Sequence, residues 1–139
     1  MFLFLFADAV AKKVDYFAAT NTKNVQRFKG PGTHYPLMHV LTKRHYPFKV
    51  VGEFDHWCCV VCVDKEKGWI KKCHLSTKYR RSIVTKDTCL YAKKTDQSAV
   101  IAKLHKNVFL QIKSIQGDFA YVIVTDHYLK GWVRLRDIW

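Results

Sequence analysis

Apolar and polar residues alternate in short runs along this chain instead of recurring at helical spacing. Phe48-Lys49-Val50-Val51-Gly52, Trp57-Cys58-Cys59-Val60-Val61-Cys62-Val63, Phe109-Leu110-Gln111-Ile112-Lys113-Ser114-Ile115 and Phe119-Ala120-Tyr121-Val122-Ile123-Val124-Thr125 are rich in β-branched and aromatic residues and are bounded by Gly, Asp or Asn. That pattern predicts strands. Ala99 to Lys106 is the best candidate for a helix, yet Val100, Ile101 and Leu104 fit a strand equally well. Its counterpart, Pro36 to Leu41, opens with a proline, and both segments read as extended. With no amphipathic stretch long enough for a stable helix, the chain is expected to be all-β.

The strands fall into two similar sets. Gly68-Trp69-Ile70 returns as Gly131-Trp132-Val133, and Leu41, Asp55 and Leu75 return as Leu104, Asp118 and Ile138, all 63 residues on. The strand from Trp57 aligns with that from Phe119 at an offset of 62, so one insertion is expected just before Trp57 and another before the second Gly-Trp. A tandem repeat of about 60 residues follows, each copy holding about five short strands. The predicted organisation is a lead-in over residues 1–19, a first domain over 20–77 and a second over 78–139. The joining segment Thr77 to Asp87 is too short and too apolar in its centre for a free linker, so the two copies are expected to pack together.

Composition narrows the function. At 139 residues the chain has no room for separate substrate and cofactor lobes. Twenty-four Lys and Arg against 11 acids leave a net +13, spread over both halves, which favours association with anionic surfaces but marks no nucleic-acid patch. The run Phe2-Leu3-Phe4-Leu5-Phe6, followed by small residues through Ala11, resembles the core of an export signal without its basic start. Export is the expectation, with a true start upstream of Met1, and a cytoplasmic location follows if the run is structural. No run is long enough for a membrane span. The five cysteines cannot all pair within one chain, and Cys59 and Cys62 would point to opposite faces of a strand. Small buried core residues are therefore expected, with no metal and no cofactor.

One resemblance covers residues 20–139. Asn24-Val25, Gly30-Pro31-Gly32-Thr33-His34-Tyr35-Pro36, Glu53-Phe54-Asp55-His56-Trp57 and Gly68-Trp69-Ile70 resemble the bacterial SH3-like domain, most closely the tandem form of exported alphaproteobacterial proteins. The fold implied is two small SH3-like β-barrels. Gln26-Arg27-Phe28-Lys29 is one residue longer than the usual pattern. The second copy is read as having Thr95-Asp96-Gln97 in place of Gly-Pro-Gly, and Phe119 in place of the strand Trp. A groove that used those features would survive only in the first copy.

Tyr35, Trp57 and Trp69 are the candidate binding aromatics, with His34, Asp55 and His56 as polar neighbours, because flat side chains at loops and strand ends supply contact area and a hydrogen-bonding rim. Trp69 and Trp132 also fit a core-capping role behind their glycines. An enzyme is not expected: the two domains use up the chain, Cys58 and Cys59 sit mid-strand, and no G-x-S-x-G or H-E-x-x-H occurs. The resemblance implies a cell-envelope binding module for peptidoglycan peptides or an envelope protein. The alternatives are a basic nucleic-acid-binding barrel and a protein-interaction scaffold.

Overall fold

Runs that alternate apolar and polar residues bury one face when neighbouring strands pair antiparallel, and short turns between them make that pairing local. The computed structural model describes residues 11–139; the candidate export run at residues 1–10 lies outside them. The described chain is all-β, with 55% strand in two antiparallel sheets, one in each of two compact units that divide after Lys78.

In the first unit the strands are β1 (Lys12–Thr20), β2 (Val25–Phe28), β3 (Leu37–Leu41), β4 (Pro47–Phe54), β5 (Trp57–Val61), β6 (Lys67–Lys71) and the two-residue β7 (Leu75–Ser76), with a single 3-10 turn at Lys72–His74. Their order is β3-β2-β6-β5-β4-β1-β7. The end strands β3 and β7 share no ladder, so this sheet curls round its core as an open barrel. In the second unit β8 (Arg81–Ile83), β9 (Thr88–Tyr91), β10 (Val100–Leu104), β11 (Phe109–Gln116), β12 (Phe119–Val124) and β13 (Lys130–Arg134) take the order β10-β9-β13-β12-β11-β8. This is the order of the first six strands of unit one. The bridge between Val84 and Ile138 stands where β1 meets β7 through Thr20 and Leu75. Both segments that could have been helical, at residues 36–41 and 99–106, are edge strands.

Each unit holds more strands than the five expected, because segments read as connections pair as well. β1 begins at Lys12, within the lead-in, and its Ala18 and Ala19 are buried against β4. β8 lies in the joining segment, whose apolar centre is buried: Val84 enters the second core, and Ile83 is covered outside that cluster.

The first core gathers Ala18, Val25, Leu41, Phe48, Val50, Cys58, Val60, Cys62 and Ile70. The second uses Val84, Leu90, Leu104, Leu110, Ala120, Val122, Val124 and Val133. Cys58 and Cys62 thus occupy the places of Ala120 and Val124, while Cys59 pairs across strands with Trp69 on the opposite face. The thiols of Cys59-Val60-Val61-Cys62 diverge as strand geometry requires. Among the described residues no disulfide forms, and no group of His, Cys, Asp and Glu could hold a metal.

Turn residues refine the repeat. His45, Asp55 and Lys65 have positive φ in the first unit, and Asn107, Gly117 and Tyr128 have positive φ at the matching turns of the second. Asp55 therefore corresponds to Gly117, not Asp118, since Phe54 pairs with Trp57 as Gln116 pairs with Phe119. The extra residue of the first copy lies in the turn between β3 and β4, not just before Trp57; β4 and β11 share almost no residues, so the sequence hides the shift.

One buried residue is unlike its counterpart. Arg27, fully buried, reaches Asp64 Oδ2 through both terminal nitrogens at 3.2 Å and donates to the Glu66 carbonyl at 3.2 Å. Its stem runs over Gly68, where a Cβ would lie 2.4 Å from the guanidinium Nε. In the second unit Leu90 occupies this position against Gly131.

Candidate functional site

The hairpin between β4 and β5 turns on Asp55 and His56, and Trp57 starts the return strand. Asp55 takes φ +53°, a conformation that aspartate tolerates better than bulkier residues. Across from the hairpin, β6 ends at Lys71 and the chain tightens into its 3-10 turn, pinned by the Lys72 amide donating to the His56 carbonyl at 2.8 Å. Between them lies an open, mainly apolar cleft of about 520 Å³ lined by His56, Trp57, Lys71, Lys72 and Cys73.

The cleft is basic and aromatic. Phe28, at the end of β2, meets Trp57 edge to face at 5.7 Å, and Lys71 Nζ stands 6.0 Å from the indole centre, an arrangement that favours a desolvated cation beside a π face. Lys72 is committed elsewhere, to Glu53 at 3.0 Å. Tyr16 donates to the same carboxylate at 3.0 Å and lies 3.8 Å from the Cys58 sulfur. The Lys72 and Tyr16 hydrogen bonds hold the Glu53 carboxyl below its usual range, and burial pushes the Cys58 thiol up. His74, in a smaller adjoining cleft with Asn24, Val25, Gln26, Phe28 and Lys71, has its pKa lowered by burial and by Lys71.

Because Glu53 ionises more readily folded than unfolded, its contribution to stability is complete above the pH where free carboxylates titrate, and it is lost as pH falls through the lower folded value. Denaturant midpoints followed from about pH 6 to about pH 3 should therefore fall more for the wild type than for Glu53→Gln. Equal slopes would show that this network does not link stability to pH.

The six sequence candidates separate into three groups. His56 and Trp57 line the cleft, with Asp55 at the hairpin tip, where its carboxylate lies 3.4 Å from His56 Nε2. His34 and Tyr35 stack at 4.4 Å in the loop between β2 and β3; among the described residues no ring contact joins them to Trp57. Trp69 is only 3% exposed and sits on the face opposite the core, paired across strands with Phe28 and Cys59. It is buried, though not as a cap of the core.

The loop that carries His34 and Tyr35 is built twice. Lys29 N bonds the Pro36 carbonyl, Gly32 N the Gly30 carbonyl and Tyr35 N the Gly32 carbonyl; 63 residues on, Ala92, Thr95 and Ser98 bond Ala99, Lys93 and Thr95 in the same way. The residues standing for Gly30-Pro31-Gly32 are thus Lys93-Lys94-Thr95, not Thr95-Asp96-Gln97. Since Lys and Thr make the same backbone, the turn does not require glycine. The rings do: a Cβ on Gly30 would lie 2.3 Å from Tyr35, and one on Gly32 would lie 2.5 Å from His34. The glycines form a shelf for two aromatic rings.

Lys71, Lys72 and Cys73 in the cleft lining, and Phe28 against Trp57, are the residues that sequence reasoning missed. Their only signal was position: Phe28 follows Arg27 just before the Gly-Pro-Gly, and Lys71, Lys72 and Cys73 follow the Gly-Trp-Ile strand.

Comparison with known proteins bears on the first unit. A search of the curated proteins finds no match. Among solved structures the chain is similar to NlpC2 from Trichomonas vaginalis, with 14% identity and a TM-score of 0.41 over 92% of this chain and 49% of that one. It is also similar to NlpC1 from the same organism, with 13% identity and a TM-score of 0.41 over 91% and 46%. The chain spans about half the length of these structures. Residues 21–77, which carry the Trp57 cleft and the Tyr35 shelf, match the family model of the bacterial SH3 domain.

Proposed function

We propose that this protein is a non-catalytic cell-envelope binding module, exported from the cell, in which the first unit recognises short peptidoglycan peptides or an envelope protein and the second unit is a further copy of the same domain. The observation that carries the reading is the cleft beside Trp57: an indole on a short hairpin, an edge-on Phe28 and an overhanging Lys71, all within the segment that matches the bacterial SH3 domain. An apolar wall with a few polar groups at its rim is suited to binding and orienting a ligand. The buried Cys58 thiol, raised in pKa, is a poor nucleophile, which supports a binding role. The shared strand order and the matched left-handed turns support the second copy.

The test is co-sedimentation of the purified protein with isolated peptidoglycan sacculi, at low salt and at about 0.3 M, where the Debye length is well below 10 Å. Retention at both salts is expected. Trp57→Ala should lose retention at the higher salt while its urea midpoint changes little, because Trp57 is half-buried at the cleft rim. Retention that vanishes with salt in the wild type would reduce the interaction to the net charge of +13. It would then favour a polyanion such as nucleic acid.

A further inference from the structure

The second unit has an open cleft of about 480 Å³ lined by Asp118, Arg134, Leu135 and Arg136. It occupies the same place in the fold as the Trp57 cleft. Asp118 stands for His56, Arg134 for Lys71, Leu135 for Lys72 and Arg136 for Cys73, and the Leu135 amide donates to the Asp118 carbonyl at 2.8 Å as Lys72 does to His56. The aromatic pair is kept as well: Tyr91 meets Phe119 edge to face at 6.3 Å, and the Arg134 guanidinium lies 5.6 Å from the Phe119 centre. The backbone of the site has been preserved while its chemistry has changed.

The charges sort into committed and open ones. Arg134 is tied to Asp96, which the loop between β9 and β10 carries across to it, and forms a fixed wall with Phe119. Asp137, 5% exposed, is engaged by Lys86 at 3.3 Å and by the Thr88 hydroxyl at 2.7 Å, and Arg136 reaches it only at 4.0 Å. Arg136 thus keeps most of its donors for a ligand. Among the described residues Asp118 makes no ion pair. One cleft therefore presents an open cation and an open anion that do not pair with each other, over the apolar Leu135. The first cleft has no carboxylate in its lining.

We propose that this second cleft binds a small free α-amino acid, with its carboxylate on Arg136 and its ammonium on Asp118. A ligand bearing both charges on one carbon satisfies both groups at once. A simple carboxylate leaves Asp118 facing a like charge, and a simple amine leaves Arg136 unmatched. The site is distinct from the Trp57 cleft and does not depend on the envelope reading.

Titration of the full chain with alanine, followed by backbone amide NMR, tests this. Saturable shifts at Asp118, Leu135 and Arg136 are expected, with N-acetylalanine and alaninamide each binding about tenfold or more weakly, as the loss of one charge-assisted hydrogen bond implies. Asp118→Asn should remove the preference for alanine over N-acetylalanine. Arg136→Gln should remove the preference over alaninamide, and neither exposed change should move the urea midpoint. Absence of saturable shifts at these residues, or equal binding of the blocked compounds, would overturn the proposal. Shifts centred on His56 and Trp57 would do the same by moving the ligand to the first cleft.

Discussion

Trp69→Ala is expected to lower the stability of the first unit by about 3–5 kcal/mol, the usual cost of emptying a buried aromatic site. The indole is 3% exposed and lies against β2 and β5, where Phe28 and Cys59 are its cross-strand partners. Cys59 is too small to refill the space, so the cavity should persist. The equivalent change at Trp132 should cost roughly half as much or less, because Trp132 is half-buried and its neighbour Tyr121, 5.2 Å away, can close over the gap. Urea unfolding of the two variants gives both numbers. A loss at Trp132 as large as at Trp69 would mean that exposure is not what separates the two tryptophans.

The second large effect concerns the buried guanidinium. Asp64→Ala should destabilise the first unit by about 3 kcal/mol, the lower end for breaking a buried pair because Asp64 itself reaches solvent, whereas Arg27→Leu should be neutral within about 1 kcal/mol or stabilising. The asymmetry arises because the first change leaves a desolvated cation with the Glu66 carbonyl, a carboxylate at 3.8 Å and the Phe48 ring at 5.9 Å, while the second removes the cation. Arg27→Leu also copies the solution found at Leu90. Arg27 Nε has no hydrogen-bond partner among the described residues, a standing cost that leucine would not carry. If Arg27→Leu lost as much stability as Asp64→Ala, the ion pair would be a net stabiliser and the comparison with Leu90 would fail.

Much of the fold could be read from the chain because strand alternation and a repeated Gly-Trp are local signals. The apolar positions of β4, β5, β11 and β12 follow directly from their period of two. Arg27 was illegible for a physical reason: a charged residue type marks surface, and only the missing Cβ at Gly68 makes room for it inside. The role of Gly30 and Gly32 was hidden in the opposite way. Glycine in a loop suggests a backbone demand, and only the matching loop of the second unit, made without glycine, shows that the demand comes from the rings. The cleft joins a hairpin at residues 56 and 57 to a strand end at 71–73, contacts that no spacing rule supplies. Trp57 was visible as an aromatic at a strand start, whereas Phe28 and Lys71 became visible only once β2 and β6 were seen to be adjacent.

The twice-built loop between the second and third strands of each unit also bears on how such a protein can change. The three backbone hydrogen bonds that shape it recur in both copies, and in the second the Ser98 and Thr95 hydroxyls accept two further amides, from Lys93 and Gln97, so the side chains at 30–35 and 93–98 can differ while the frame stays the same. An aromatic shelf in one copy and an arginine-tethering aspartate in the other are two settings of one interchangeable part. The side-chain chemistry of this loop can therefore be reset by point substitution in one copy while the other keeps its own.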